Sequence, residues 1–147
     1  MTPDEFAALI RSGMAAIEQQ NTLLGLLHFE EASRHHPTPT VLSCLGYCLA
    51  SEKGLFAKAR ALCQEAVQQE PANSLHYLNL GRVYLLARRK DLALLAFRKG
   101  LKFGRQPAIV REMRKLGLRR PPVFAGLGRG HRLNRYCGFV FSRLGVR

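Results

Sequence analysis

The sequence predicts an all-α protein in which three antiparallel helix-turn-helix repeats stack into a short right-handed α-solenoid. Two observations support this fold class: residues of similar size recur at a fixed interval, and apolar residues within each copy recur at the spacing of helix faces. Ala32, Ala66 and Gly100 lie 34 residues apart. The same interval separates three larger residues, Phe29, Cys63 and Phe97. Three copies in register indicate a true internal repeat, whose units bury a shared core by stacking.

A glycine recurs in the first helix predicted for each copy, at Gly13, Gly46 and Gly81. Their intervals are 33 and 35, so the first helix of the middle copy is shifted by one residue relative to its second helix. Glycine inside a helix costs roughly 1 kcal/mol relative to alanine. We therefore expect Gly81 to face the side chains of its partner helix, where close packing offsets the lost helix propensity.

Each copy contains two predicted helices. The repeats span about residues 6–39, 40–73 and 74–107. A further helix is predicted over 107–117, because Pro107 suits a helix start and Gly117 suits a helix end. We expect this helix to cover the apolar surface that the last repeat leaves open, so that residues 1–118 form one domain.

The third copy carries the pattern Tyr77-x-x-Leu80-Gly81-x-x-Tyr84, followed by Ala93-x-x-x-Phe97. This pattern resembles the consensus of the tetratricopeptide repeat (TPR) family. The second copy is similar but weaker, and the first is degenerate, with Ser12 where leucine is usual. The resemblance covers about residues 6–107 and implies a TPR-like solenoid.

The resemblance also implies a binding surface, because the first helix of each TPR lines a concave groove that holds a peptide or protein segment. Carried over by position, the groove residues are Arg11, Met14, Ser43, Tyr47, Leu75, Leu78, Asn79 and Arg82. Asn79 and Arg82 suit a carboxylate or a peptide backbone. The lysines of the family's carboxylate-binding clamps are absent, so that particular specificity is not implied.

The C-terminal segment, residues 119–147, differs from the repeats. Residues 88–147 carry 17 basic and 2 acidic side chains, whereas residues 1–87 carry 6 and 8. The segment contains Pro and Gly, and its apolar spacing predicts an amphipathic helix over 133–144. So short a helix must dock on its own repeats, on a second copy or another protein, or on an anionic membrane. The basic residues expected to meet an anionic partner are Arg119, Arg120, Arg129, Arg132, Arg135 and Arg143.

Enzymatic chemistry has little support in the sequence, which shows no nucleophile elbow, phosphate loop or zinc-protease motif. Cys44 and Cys48 stand at i, i+4 on one predicted helix, a spacing at which two thiolates can share a metal ion. Small apolar cysteines also suit helix packing, and no second close-spaced ligand pair accompanies them. We expect no catalytic residue, metal site or cofactor.

These observations predict a non-enzymatic scaffold or adaptor that binds a protein or peptide segment in the TPR groove, with an acidic segment as one candidate. One alternative is a membrane-surface or nucleic-acid-associated protein that uses the basic tail. Another is a small TPR chaperone for secreted proteins, which the strong positive charge fits poorly. The N-terminus shows no secretory signal and the four cysteines suggest reduced thiols, so a cytoplasmic location is expected.

Overall fold

The computed structural model describes residues 1–117, and in that range it shows helices joined by short turns and no strand. The helices are α1 (Pro3–Glu18), α2 (Thr22–His35), α3 (Pro39–Lys53), α4 (Phe56–Gln69), α5 (Ser74–Leu86), α6 (Lys90–Leu101) and α7 (Pro107–Lys115). The predicted all-α repeat class is confirmed. The basic segment 119–147, with its predicted helix over 133–144, lies outside the described residues.

Side-chain caps fix the starts of four helices. Thr2, Asn21, Thr38 and Asn73 each accept a hydrogen bond from a backbone N–H group in the first turn that follows. Thr2 also forms a capping box with Glu5, whose carboxylate accepts from the Thr2 backbone N–H at 2.7 Å. Each cap satisfies a donor that would otherwise lack a partner, which typically contributes about 1 kcal/mol.

Consecutive helices pack as three pairs, α1 with α2, α3 with α4 and α5 with α6, and the pairs stack through α2 on α3, α3 on α5 and α4 on α5. One glycine in each pair permits the close approach. A Cβ added to Gly81 would overlap the Phe97 ring, and one added to Gly13 would lie 2.8 Å from Cε2 of Phe29. The predicted packing role of Gly81 is confirmed.

The middle pair uses a smaller partner. A Cβ on Gly46 would lie 2.8 Å from the Ala59 carbonyl oxygen and 2.9 Å from Sγ of Cys63. Cys63 stands one repeat from Phe29 and from Phe97, so the three large-residue positions all face a glycine of the preceding helix. With the smaller thiol at this position, a backbone atom of α4, the Ala59 carbonyl oxygen, lies about as near to the Gly46 site as the Cys63 side chain does.

The turns within the pairs share one backbone feature. Gln20, Gly54 and Arg88 have φ values of 61°, 63° and 60°, and they lie 34 residues apart. In the first and third pairs the next residue donates its N–H to a carbonyl five residues earlier, Asn21 to Ala16 and Arg89 to Tyr84. Such bonds close the end of a helix through a left-handed residue. The 34-residue repeat therefore extends to the turn conformation.

The interior is lined by side chains from every helix pair. One cluster joins α2 to α3 and consists of Leu26, Phe29, Ala32, Val41, Cys44, Leu45, Cys48 and Leu49. A second cluster joins the next two pairs and consists of Ala50, Ala59, Cys63, Leu80, Val83 and Ala96. Stacked repeats of this kind share their core with their neighbours, so no single pair is expected to be stable alone.

Met1–Val110 forms one compact unit, and α7 begins inside it. Ile109 is fully buried, and its Cδ1 lies 2.7 Å from the place that a Cβ would take on Gly100. Residues 111–117 complete α7 and its closing turn, where Lys115 lies 3.9 Å from the Glu112 carboxylate. The repeat boundaries and the covering role of residues 107–117 stay predictions.

Candidate functional site

The first helices of the three pairs, α1, α3 and α5, carry the residues predicted to bind a partner. Five of these residues keep accessible side-chain area: Arg11, Met14, Tyr47, Leu75 and Arg82. We call this set the first-helix surface. The other three predicted residues, Ser43, Leu78 and Asn79, lie in the interior and are at most 3% exposed.

Side chains connect the first-helix surface from one helix to the next. The guanidinium carbon of Arg82 on α5 lies 5.0 Å from the ring centroid of Tyr47 on α3, within range of a cation–π interaction. Met14 on α1 reaches α3, where its Sδ lies 3.4 Å from Sγ of Cys44. The surface therefore presents an arginine stacked on a tyrosine between α5 and α3, and a methionine that bridges α1 to α3, with Leu75 and Arg11 as further accessible members.

Beneath the first-helix surface, a chain of buried hydrogen bonds joins α5 to α3. Nε2 of His76 lies 2.7 Å from a Glu70 carboxylate oxygen, and Nδ1 of His76 lies 2.9 Å from Oγ of Ser43. Asn79 donates its amide N–H to Oγ of Ser43 at 3.2 Å and approaches Sγ of Cys44 at 3.5 Å. In the tautomer that carries a proton on Nε2, His76 donates to Glu70, and its Nδ1 accepts from the Ser43 hydroxyl.

The order serine, histidine and carboxylate is that of a hydrolase triad, but the geometry does not suit catalysis. Ser43 and His76 are both fully buried, so no substrate carbonyl reaches the Ser43 oxygen. The hydrogen bond from His76 lowers the pKa of Glu70 below its usual value of about 4.5. The chain is an internal contact that fixes α5 on α3, in which both His76 nitrogens, the Ser43 hydroxyl and the Asn79 amide N–H have partners.

The cysteines on α3 and α4 are packing residues. Burial raises the pKa of Cys44 and of Cys48 to about 12 and also raises the pKa of Cys63. Thiols with such values are protonated at neutral pH and are poor nucleophiles and poor metal ligands. Within residues 1–117 no three potential ligand side chains come together around one point. The geometry of Cys44 and Cys48 supports the predicted role in helix packing.

Sequence reasoning did not identify His76 as an interior residue. Three buried residues of α5 stand at i, i+3 and i+7, namely His76, Asn79 and Val83. This spacing could have predicted that they share one face of the helix. The contact between His76 and Ser43 could not be predicted from spacing, because Ser43 lies 33 residues earlier in the chain. Ser43 and Asn79 were predicted at the groove by their positions in the repeat, and the structure places them one layer deeper.

No helix in the described part of the chain combines the length and the apolar character that a bilayer crossing requires.

Solved structures similar to this chain are TPR domains. The first TPR of Spaghetti (RPAP3), bound to the HSP90 peptide SRMEEVD, has a TM-score of 0.60 and 16% identity, covering 80% of this chain and 96% of that one. The first TPR domain of human RPAP3 has a TM-score of 0.61 and 17% identity, covering 79% and 92%. The Sgt2 TPR domain from Aspergillus fumigatus has a TM-score of 0.59 and 21% identity, covering 91% and 95%. These similarities establish the fold.

Sequence comparison points to the same family. None of the curated proteins matches this sequence. The model of the tetratricopeptide repeat, however, matches residues 10–74 and residues 52–107. The two matches together span most of the chain, and they cover the helix pairs whose glycine contacts repeat in the structure. The chain belongs to the tetratricopeptide repeat family.

Proposed function

We propose that this protein is a non-enzymatic adaptor that holds a segment of another protein on the first-helix surface. The observation that carries the proposal is the contact between Arg82 and Tyr47, which places a cation and an aromatic ring together on accessible faces of α3 and α5. Tyrosine and arginine are the residue types that most often dominate binding energy at protein interfaces. The TPR fold supports a protein or peptide as the class of partner.

The chemistry of the first-helix surface suits a segment with mixed character. Met14, Tyr47 and Leu75 offer apolar area, whose burial contributes roughly 25 cal/mol per Å² before the costs of association. Arg11 and Arg82 place positive charge beside that area, which favours a segment that carries a carboxylate. The similar Spaghetti domain is bound to an acidic peptide, which agrees with this class of partner.

A site-specific photo-cross-link tests where the partner sits. The photoreactive residue p-benzoylphenylalanine replaces Tyr47 in one protein and Leu27 in another, and each protein is irradiated in cell extract. Leu27 is the matched control, because it is 57% exposed and lies on α2, a second helix of a pair. We expect a single partner protein from the extract to cross-link to the variant with the probe at position 47 and not to the variant with the probe at position 27.

Mapping the cross-linked peptide by mass spectrometry then names the partner segment. The proposal predicts a short segment whose synthetic peptide competes with the cross-link at position 47. Cross-links that form equally at both positions, or that no segment peptide suppresses, would contradict it.

The charge of the C-terminal part favours a second role, in localisation. Seventeen basic side chains against two acidic ones in residues 88–147 suit an anionic membrane surface or nucleic acid. Such binding weakens steeply with salt, whereas a segment held on the first-helix surface by apolar contact is less sensitive. Binding of wild type and of residues 1–118 to anionic vesicles and to nucleic acid across a salt series separates the two roles. We place the protein in the cytoplasm as part of this proposal.

A further inference from the structure

A groove lies between α4 and α6, with α5 as its floor. It encloses about 530 Å³, which is enough for two or three large side chains. Its apolar lining includes Val67 from α4, Leu80 and Tyr84 from α5, and Leu92 and Leu95 from α6. We call it the α4–α6 groove. No part of the proposed adaptor function uses it.

The α4–α6 groove is separate from the first-helix surface. On a helix of 3.6 residues per turn, Leu80 and Tyr84 point to nearly the opposite side of α5 from Leu75 and Arg82. The two sites therefore share one helix as a common wall, and a partner in one does not occlude the other.

The apolar lining of the α4–α6 groove is open to a partner. Leu95 is 53% exposed at its edge, and Val67, Tyr84 and Leu92 are half-buried. Water contact with these side chains is unfavourable, and a bound apolar side chain would remove it. The rim also offers amide groups, because Gln64 lies on it within 3.5 Å of the Tyr84 hydroxyl. Amide and hydroxyl groups beside an apolar slot match the backbone and side chains of a peptide.

The charge around the α4–α6 groove selects the kind of peptide. Lys99 on α6 is the charged residue among the groove's lining, and in the described part of the chain no carboxylate forms an ion pair with it. Residues 88–105, which contain α6 and its flanks, hold seven basic side chains and one acidic one, Asp91. Asp91 already pairs with Arg89 at 3.3 Å. One lysine in an apolar lining is too few cations for a nucleic-acid track, which needs several phosphate contacts.

We propose that the α4–α6 groove is a second protein-binding site, and that it takes a short apolar segment flanked by Asp or Glu. Two apolar side chains of the segment fill the space over Leu80 and Leu92, against Leu95. A neighbouring carboxylate of the segment pairs with the Lys99 ammonium.

The test selects binding peptides without assuming a partner. A random 12-residue peptide library on phage is panned on the full 147-residue chain, and each enriched peptide is synthesised and its Kd measured by fluorescence anisotropy. We expect peptides with two or more apolar residues next to Asp or Glu. Leu95→Asp should weaken their binding by about tenfold or more. Lys99→Glu should weaken it by a smaller factor, and should restore affinity for versions of the same peptides with Lys in place of the acids.

Leu23→Asp is the matched control, since Leu23 is 56% exposed but lies on α2, away from the groove. It should leave the Kd unchanged. Three results would overturn the proposal. The first is that no peptide is enriched, or that enriched peptides ignore Leu95→Asp. The second is that a 12-nucleotide single strand, not a peptide, binds with this dependence on Leu95 and Lys99. The third is that sedimentation shows a peptide-free dimer which Leu95→Asp dissociates.

Discussion

At the scale of single residues, the fold depends on a glycine that faces a large side chain in the next helix. Gly81 meets the buried Phe97 ring, and Gly13 meets the equivalent Phe29 ring. The glycine loses helix propensity, but it lets two helices approach closely enough to enclose an aromatic ring. The pairing is therefore a packing requirement at these positions, and it explains why glycine stands inside three helices.

Gly81→Ala measures the strength of this requirement. Alanine gains roughly 1 kcal/mol of helix propensity, but its Cβ overlaps the fully buried Phe97 ring. We expect a net loss of about 2 kcal/mol or more in the free energy of unfolding, measured by urea denaturation. The double variant Gly81→Ala, Phe97→Leu should be less destabilised than the two single effects added together. A neutral Gly81→Ala, or strict additivity in the double variant, would contradict the packing argument.

The hydrogen bond between His76 and Glu70 predicts that the contribution of Glu70 to folding stability depends on pH. The hydrogen bond from His76 lowers the folded-state pKa of Glu70 below its unfolded value of about 4.5. The stability that Glu70 contributes is therefore present above that pH, and it is lost as the pH falls through the folded-state pKa. Glu70→Gln should lower stability at pH 6 and have little effect at pH 3. The Glu70 side chain is 47% exposed, so the difference should stay below about 1 kcal/mol.

Urea denaturation of wild type and Glu70→Gln at pH 3, 4.5 and 6 measures this difference. Glu65→Gln is the matched control, because Glu65 lies on α4, whose C-cap is Glu70, and accepts a hydrogen bond from Gln69 and not from His76. A gap between wild type and Glu70→Gln that widens toward pH 3 would show that the sign of the Glu70 contribution is wrong.

At the scale of helices and turns, the backbone conformation of the left-handed residue that follows each first helix predicts how substitutions there change stability. Gly54 adopts this conformation without steric cost, whereas Gln20 and Arg88 carry a Cβ in it. Arg88→Gly and Gln20→Gly should each stabilise the protein by up to about 1 kcal/mol, and Gly54→Gln should destabilise it by a similar amount. Thermal and urea denaturation of the three variants give the comparison. Destabilisation by both glycine variants would mean that the side chains of Gln20 and Arg88 hold these turns.

Helix pairing could be predicted from the sequence because it depends on local spacing. The 34-residue interval and the glycines gave the helices, their order and the role of Gly81. The one-residue shift of Gly46 in the middle copy could be read from the sequence, but the change in helix length that accompanies it could not. In the structure α3 runs seven residues past Gly46 to Lys53, with Gly54 as its C-cap, whereas α1 and α5 run five residues past their glycines. The shift therefore appears as one extra residue between the glycine and the left-handed residue, because Gly46 and Gly54 are eight apart and the other two pairs are seven apart.

The binding surface was only partly predictable, for a related reason. Arg11, Met14, Tyr47, Leu75 and Arg82 are accessible side chains, as a groove requires. In the interior, Ser43 bonds to His76 and to Asn79, which lie 33 and 36 residues later in the sequence. Polar chemistry alone could not distinguish an interior hydrogen bond from a groove contact, because the difference depends on a partner far away in the chain.

At the scale of the whole molecule, the third helix pair combines three features. Its α5 contributes Arg82 to the first-helix surface, anchors the buried chain through His76, and forms the floor of the α4–α6 groove. The excess of basic residues begins in the same pair. An adaptor with two opposed faces on one helix could hold two protein segments at once, and both segments would meet positive charge.

The most direct test of the adaptor function is the Kd of the segment identified by cross-linking, measured by calorimetry on the full chain. The variant Tyr47→Ala, Arg82→Ala removes both members of the cation–π pair and leaves the buried chain of His76 in place. Its Kd should rise by about tenfold or more, with circular dichroism and melting behaviour close to wild type. Leu27→Asp on α2 should bind like wild type. A folded double variant that keeps wild-type affinity would show that the partner does not sit on the first-helix surface.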